Sequence, residues 1–391
     1  MPKVQPHPAD RLTAFAQSKL EELATKDRLR QWPGGAPTPT TFASETFKID
    51  LSHNDYLGLS RDPRVLAAAE KALQTYGAGA TGSRLISGNH PEISALETSL
   101  AAFKQTEAAL VFSSGYAANL GTIPALMDRD SLIVVDERAH ACLFGGAQLA
   151  KAEAVTFRHN DVDDLRAKIG TNAYRDQRVL ILTDGVFSMD GDLAPLPELA
   201  QVARDCGAWL MVDDAHGLGV LAEGKGTAAR FGMAAEDIPL QMGTLSKALG
   251  SQGGYVCASE PVIAFLANRA RTFVYSTGLA PASAAAANAA LSIIMNDRAL
   301  TTRPLKLAQR FAESLGLNKP ESPILPIIYG SETRALAAQK TLEKLGVRAV
   351  AIRPPTVPAG TSRLRLAFSA SLSDHDVDQV VSILKTQSIL P

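Results

Sequence analysis

One lysine organises the chemistry this chain could do. Thr244-Leu245-Ser246-Lys247-Ala248-Leu249-Gly250 closes an apolar run and opens onto Ser251-Gln252-Gly253-Gly254. The glycines let a bulky group approach the backbone, and an amine held there forms a Schiff base with a carbonyl once burial or nearby positive charge deprotonates it. Pyridoxal phosphate is the commonest cofactor that needs such a lysine, and a surface lysine in a glycine-rich loop is the plain alternative.

A second run, Leu210-Met211-Val212-Asp213-Asp214-Ala215-His216-Gly217, delivers an acid at the end of an apolar strand and a histidine three residues on. A carboxylate beside a pyridine nitrogen keeps that nitrogen protonated, and the ring then accepts electrons. Asp213 takes that role here, and His216 is within reach of the phenolic oxygen. Side chains alternate along a strand, so Asp214 points elsewhere. Helix capping or metal binding by the two acids is the alternative. Two look-alikes follow. Gly217-Leu218-Gly219-Val220-Leu221-Ala222 fits a dinucleotide fingerprint but lacks the immediate strand and the following helix. Gly219 to Lys225 nearly fits a P-loop, yet Gly226 stands where a magnesium-binding Ser or Thr belongs.

Weaker motifs lie elsewhere. In Val111-Phe112-Ser113-Ser114-Gly115-Tyr116 a strand passes into a helix start, which suits phosphate, with Tyr116 placed to edge a ring. Standing alone, the motif reads better as an ordinary strand-to-helix turn. His140 follows a strand and could stack on an aromatic cofactor or be structural. Ser188 could bond a phenolic oxygen, while Asp190-Gly191-Asp192 is simply a turn. In Ile352-Arg353-Pro354-Pro355-Thr356, prolines preorganise the Arg353 fork for a carboxylate. Arg363 and Arg365 alternate with leucines and read as structural. His53, His90, His159 and His375 show no ligand spacing and receive no role.

These residues need a scaffold. Helical patterns at 63–76, 91–104, 116–127, 141–151, 161–169 and 195–206 alternate with apolar strands at 108–112, 131–135, 153–157, 178–183, 208–213, 239–243 and 253–258. Such alternation predicts an α/β fold with a mainly parallel seven-stranded sheet covered by helices, with ligands beyond the carboxyl ends of its strands. An amphipathic helix runs to about Gln31. Strands near 325–329, 348–352 and 363–368 with helices at 300–316, 332–345 and 373–387 predict a smaller α+β domain. The expected division is an N-terminal extension 1–60, a large domain 61–285 and a C-terminal domain 286–391.

The 391 residues are 46% hydrophobic and 20% charged, with a formal net charge of −1. Without a basic tract, neither nucleic acid nor a membrane surface is an expected partner. The three cysteines are far apart, and no targeting segment is evident, so a cytoplasmic location is expected.

Together these motifs resemble the α-oxoamine synthases, a branch of the fold-type I pyridoxal phosphate enzymes. The likeness runs from about Leu29 to the last helix. It includes Ser52-His53-Asn54-Asp55-Tyr56-Leu57-Gly58, the run Gly79 to Asn89, Phe273-Val274-Tyr275-Ser276-Thr277 and the Arg353-Pro354-Pro355-Thr356 segment. The last is most similar to members that condense L-alanine with pimeloyl-CoA or a pimeloyl carrier protein. Siblings using glycine as substrate are the alternative. The resemblance implies pyridoxal phosphate on Lys247, with His140 stacked on its ring. It implies Gly115, Tyr116 and Thr244 around phosphate and ring edge, Asp213 at the pyridine nitrogen, and Ser188 and His216 at the phenolic oxygen. Arg30, Asn54, Arg353 and Thr356 would meet substrate. A homodimer is implied, with Thr277 reaching the partner's phosphate. Ser246 departs from the Gly that many members carry before the lysine.

Overall fold

The computed structural model describes residues 8–26, 28–29, 47–170 and 177–391. In chain order its elements begin α1 (Pro8–Thr25), β1 (Ile49–Asp50), α2 (Pro63–Tyr76), α3 (Pro91–Lys104), β2 (Ala108–Phe112), α4 (Gly115–Leu126), β3 (Ser131–Asp136), α5 (Ala141–Ala150) and β4 (Glu153–Phe157). Next come α6 (Val162–Ile169), β5 (Arg178–Asp184), α7 (Leu196–Cys206), β6 (Trp209–Asp213), α8 (Thr227–Arg230), β7 (Leu240–Thr244), β8 (Gly254–Ala258), α9 (Glu260–Arg269), α10 (Arg271–Val274) and α11 (Pro281–Asn296). The chain ends with α12 (Arg298–Leu315), β9 (Ile324–Gly330), α13 (Glu332–Lys344), β10 (Val347–Arg348), β11 (Val350–Ile352), β12 (Ser362–Ala367) and α14 (Asp374–Thr386).

These elements form two compact units, one of residues 53–325 and 367–377, the other of residues 1–52, 326–366 and 378–391. The larger unit contains the expected seven-stranded sheet, ordered β2-β8-β7-β6-β5-β3-β4. β8 is antiparallel to both neighbours, and the remaining pairs are parallel. Alternate side chains feed two apolar layers, as the pleat requires. Ile133, Val135, Leu180 and Leu182 pack with Ile123 of α4 and Leu143 of α5. Leu132, Val134, Ile181 and Leu210 pack with Leu165 of α6 and Leu199 of α7. The alanine-rich α11 packs closely on α2 and α3, and with α12 it belongs to this unit. Register sets Asp184 opposite Asp213 at the carboxyl ends of β5 and β6.

In the smaller unit the sequence-predicted strand 348–352 is two short strands. β10 pairs in parallel with β1, while β11 pairs antiparallel with β12. Ala349 between them is wholly buried, and the chain changes partner there. Helix α1 is shorter than expected. It ends at Thr25, where the Arg28 N–H closes on the Leu23 carbonyl at 2.9 Å.

Candidate active site

Asp213 ends β6 buried, with both carboxylate oxygens engaged. Oδ2 accepts Asn119 Nδ2–H at 2.8 Å, and Oδ1 accepts the Ala215 N–H at 3.1 Å. Asn119 is wholly buried on α4, one turn beyond Gly115 and therefore on the same helix face. Asp214 turns the other way. Thr227 Oγ1 donates to it at 2.6 Å, and Lys104 Nζ lies 3.4 Å away. Burial raises the Asp214 pKa against the pull of Lys104. Among the described residues no three histidine, cysteine or acidic side chains are grouped as metal ligands.

Lys247 follows β7, with its Nζ 2.8 Å from His216 Nε2. His216 Nδ1 lies 2.7 Å from Tyr56 Oη, and that hydroxyl donates onward to Asn54 Oδ1 at 3.4 Å. One set of donors satisfies all three contacts. The ammonium donates to Nε2, Nδ1–H donates to Tyr56, and Tyr56 donates to Asn54. Tyr56 is fully buried, so this chain of bonds fixes the imidazole plane.

His140 caps α5, its Nδ1 accepting the Cys142 N–H at 3.3 Å. An acceptor Nδ1 places the proton of the neutral ring on Nε2. The Cys142 thiol sits 2.7 Å from the same nitrogen and accepts from Asn119 at 2.9 Å. His140 is exposed as a residue, yet its pKa is lowered. Desolvation by the surrounding protein is the main cause, the Lys247 charge adds to it, and Asp213 opposes it. Burial raises the Cys142 thiol as well, so it stays neutral and able to donate. Asp184 accepts the His140 N–H at 3.2 Å. Burial, then repulsion from Asp213, drives the Asp184 pKa well above the usual carboxylate range.

Gly115 opens α4 against the end of β7. A Cβ added there would lie 3.0 Å from Met242 Cε and 3.4 Å from Thr244 Cβ. Ser114 Oγ accepts the Ala117 N–H at 3.0 Å, which leaves the first turn's outermost N–H groups for an anion. Thr244 is buried, its Oγ1 2.8 Å from Ser246 Oγ, so the serine adds a hydroxyl to this corner. The helix start and the Thr244 and Ser246 hydroxyls thus lie side by side, a donor set of the kind that the phosphate of pyridoxal phosphate takes. Tyr116 is half exposed, its hydroxyl over Gly145 of α5. Ser188 is half-buried in the loop after β5. Thr277 is exposed and pairs by a short antiparallel bridge with Ser83.

In the smaller unit, Arg353 and Thr356 line a cleft of about 800 Å³ with Arg28, Gln339 and Lys340. The Arg353 carbonyl accepts the Thr356 N–H at 3.1 Å, which closes the turn. Arg363 and Arg365 are buried in β12. Arg30 lies outside the described residues.

Sequence reasoning passed over Asn119, Tyr56, Cys142 and Asp184. Only Asn119 carried a usable signal, its spacing of four from Gly115 on a helix.

Lysine, strand-end acid and helix start, gathered at the carboxyl edge of a mainly parallel sheet, define a fold-type I site. Residues 46–384 match the class I and II aminotransferases, and the chain belongs to that family. Two curated relatives are each an 8-amino-7-oxononanoate synthase. The chain is 50% identical to one from Methylorubrum extorquens over 383 residues, 97% of each chain. It is 52% identical to that of Beijerinckia indica over 377 residues, 95% of this chain and 97% of the relative. A solved serine palmitoyltransferase variant from S. paucimobilis, with a bound PLP-myriocin adduct, superposes with a TM-score of 0.88 at 27% identity. The match covers 98% of this chain and 99% of the other.

Proposed function

We propose that this protein is a pyridoxal phosphate-dependent acyltransferase of biotin biosynthesis. It joins L-alanine to a pimeloyl thioester, giving 8-amino-7-oxononanoate, free thiol carrier and CO2. The contact of Lys247 Nζ with His216 at 2.8 Å carries the reading. It places the only amine of the Thr244–Gly250 segment within the polar array that also holds Asp213, His140 and Asp184.

Pyridoxal phosphate supplies, when bound, an electrophilic carbon for amines and a ring that accepts the electrons of a bond broken at the amino acid's α carbon. Lys247 would hold it through Nζ, and that amine, when free, would move the α proton of the amino acid. The α4 start and Thr244 hold the phosphate. Asp213, oriented by Asn119, takes the pyridine N–H and keeps it charged. Ser188 and His216 would face the phenolic oxygen. His140 would cover the ring, and its Nε2–H would serve the thioester carbonyl as a donor rather than a base. Arg353 takes the alanine carboxylate, and Arg30, Asn54 and Thr356 meet substrate.

Two further proposals concern assembly and location. A second copy covers the exposed apolar side chains near these segments. Ile86 is 85% and Tyr275 74% exposed, and both flank the bridge that carries Thr277. A homodimer buries them and brings Thr277 to the partner's phosphate. Among the described residues no helix is long and apolar enough to cross a membrane, and the three cysteines are unpaired. These features support a reducing cytoplasm.

Steady-state turnover with pimeloyl-CoA and with pimeloyl carrier protein, each against alanine, glycine and serine, tests the reading. Alanine with either pimeloyl donor should dominate by at least tenfold. Preference for glycine with a short acyl-CoA, or for serine with palmitoyl-CoA, would overturn the substrate assignment while leaving the class intact.

A further inference from the structure

His159 lies outside the array described above, in the link between β4 and α6, with its side chain largely buried. Its Nδ1 is 3.1 Å from Asp136 Oδ1 and its Nε2 is 2.7 Å from Asp192 Oδ2. A neutral imidazole has one N–H, so one nitrogen would turn a lone pair toward a carboxylate. Two facing carboxylates favour protons on both nitrogens, although the Asn160 amide nitrogen, 3.3 Å from Nε2, also offers that atom a donor. The ring also stands edge-on to Phe187, centroids 4.3 Å apart at 89°.

The two acids belong to the segments that carry cofactor-facing residues. Asp136 heads a tight turn: its Oδ1 accepts the Arg138 N–H at 2.8 Å, and its carbonyl accepts the Ala139 N–H at 3.0 Å, one residue before His140. Asp192 closes the loop of Ser188, because the Phe187 N–H bonds the Asp192 carbonyl at 3.0 Å and the Gly191 N–H bonds the Phe187 carbonyl at 2.8 Å. Holding Asp192 thus holds Ser188.

We propose that His159 is a positioning residue for the cofactor, clamped as a cation between Asp136 and Asp192 so that the segments bearing His140 and Ser188 keep a fixed separation. The proposal rests on the pyridoxal phosphate assignment above. Burial works against the charge, but the bonds to Asp136 and then Asp192 outweigh it and raise the His159 pKa to about 9. Other charged groups face the same place. Glu137 accepts the His159 N–H at 3.2 Å, and the Arg138–Asp190 pair spans the two segments at 3.7 Å. Asn160 adds a tie that does not titrate, its side chain 3.1 Å from Asp192. Because the folded pKa exceeds the ordinary histidine value of about 6.5, the charged clamp is complete below that pH. It is lost as pH rises through about 9.

The experiment pairs histidine ring NMR titration with the pyridoxal phosphate dissociation constant, measured by absorbance from pH 7 to 10. It uses the full chain, His159→Gln and Asp192→Asn. In the wild type, His159 should titrate near 9 and affinity should weaken over the same range. Asp192→Asn should move both midpoints down together. His159→Gln should bind at least tenfold more weakly at pH 7.5 and lose that pH step. A wild-type midpoint near 6.5, or His159→Gln affinity within twofold of wild type, overturns the clamp. If His159→Gln does not fold, Asp192→Asn decides: a lowered His159 midpoint with an unmoved affinity step overturns it. Failure of the wild type to bind pyridoxal phosphate at any pH removes the cofactor assignment, and the clamp with it. Tight wild-type binding beside an indifferent His159→Gln removes the clamp alone.

Discussion

Asn119 offers the sharpest test of the site. Its Nδ2 donates to Asp213 Oδ2 at 2.8 Å between two buried side chains. A hydrogen bond to a charged group contributes about 1.5–3 kcal/mol. Asn119→Ala should therefore weaken pyridoxal phosphate binding and lower kcat by roughly tenfold to a hundredfold, taking 1.4 kcal/mol per decade. Asn119→Asp behaves differently. Two ionised carboxylates 2.8 Å apart repel by about 6 kcal/mol at an effective dielectric of 20, so the pair retains a proton instead. That proton replaces the amide donor at low pH, and activity should fall as pH rises and removes it. Dissociation constants come from absorbance titration of the apoprotein, and kcat from thiol release with L-alanine and pimeloyl-CoA. Asn119→Ala within threefold of wild type in both quantities would refute the view that Asp213 needs an oriented donor.

Borohydride reduction of the holoenzyme should fix the cofactor on Lys247, as peptide mapping reads out, and Lys247→Ala should lose turnover by several orders of magnitude. Arg353→Ala should raise the KM for L-alanine roughly tenfold to a hundredfold, from about 1.5–3 kcal/mol of charge-assisted bonding. Titration with alanine alone shows whether the loss instead falls on the pimeloyl donor. Tyr56→Phe removes the hydroxyl 2.7 Å from His216 Nδ1, a loss of about 0.5–1.5 kcal/mol that should appear as a lower Tm together with reduced turnover. The lowered pKa of His140 means the unfolded chain takes the proton first below about pH 6.5. Thermal stability should therefore fall with acid more steeply in wild type than in His140→Asn.

The parallel sheet was legible because strands and helices alternate along the chain, and Lys247, Asp213 and Gly115 were legible because each stands at the end of an apolar run. The reversal of β8 had a signal that went unread. Nine residues separate Thr244 from Gly254, too few for a parallel crossover of a dozen or more. Helix α9 was missed although Ser259 precedes Glu260-Pro261, an N-terminal signature. The contacts of Asn119 with Asp213 and of Tyr56 with His216 were not readable. They join residues 94 and 160 positions apart, and only the closed sheet brings them together. His159 failed for a related reason: its two acids come from different loops, so no local spacing marks it.

The neighbouring acids Asp213 and Asp214 end one strand yet answer to different parts of the protein. Asp213 faces Asn119, and Asp214 faces Lys104 and Thr227. Sliding β6 by one residue would exchange the faces of every side chain on it. A slip in one direction would bring Asp214 to Asn119 and Ala215 to Lys104; a slip in the other would bring Asp213 to Lys104 and Val212 to Asn119. Either error leaves one buried partner without its acid, the Lys104 ammonium in the first case and the Asn119 amide in the second. The pair of acids acts as a proofreading mark on strand alignment, because only one register gives both buried partners a carboxylate.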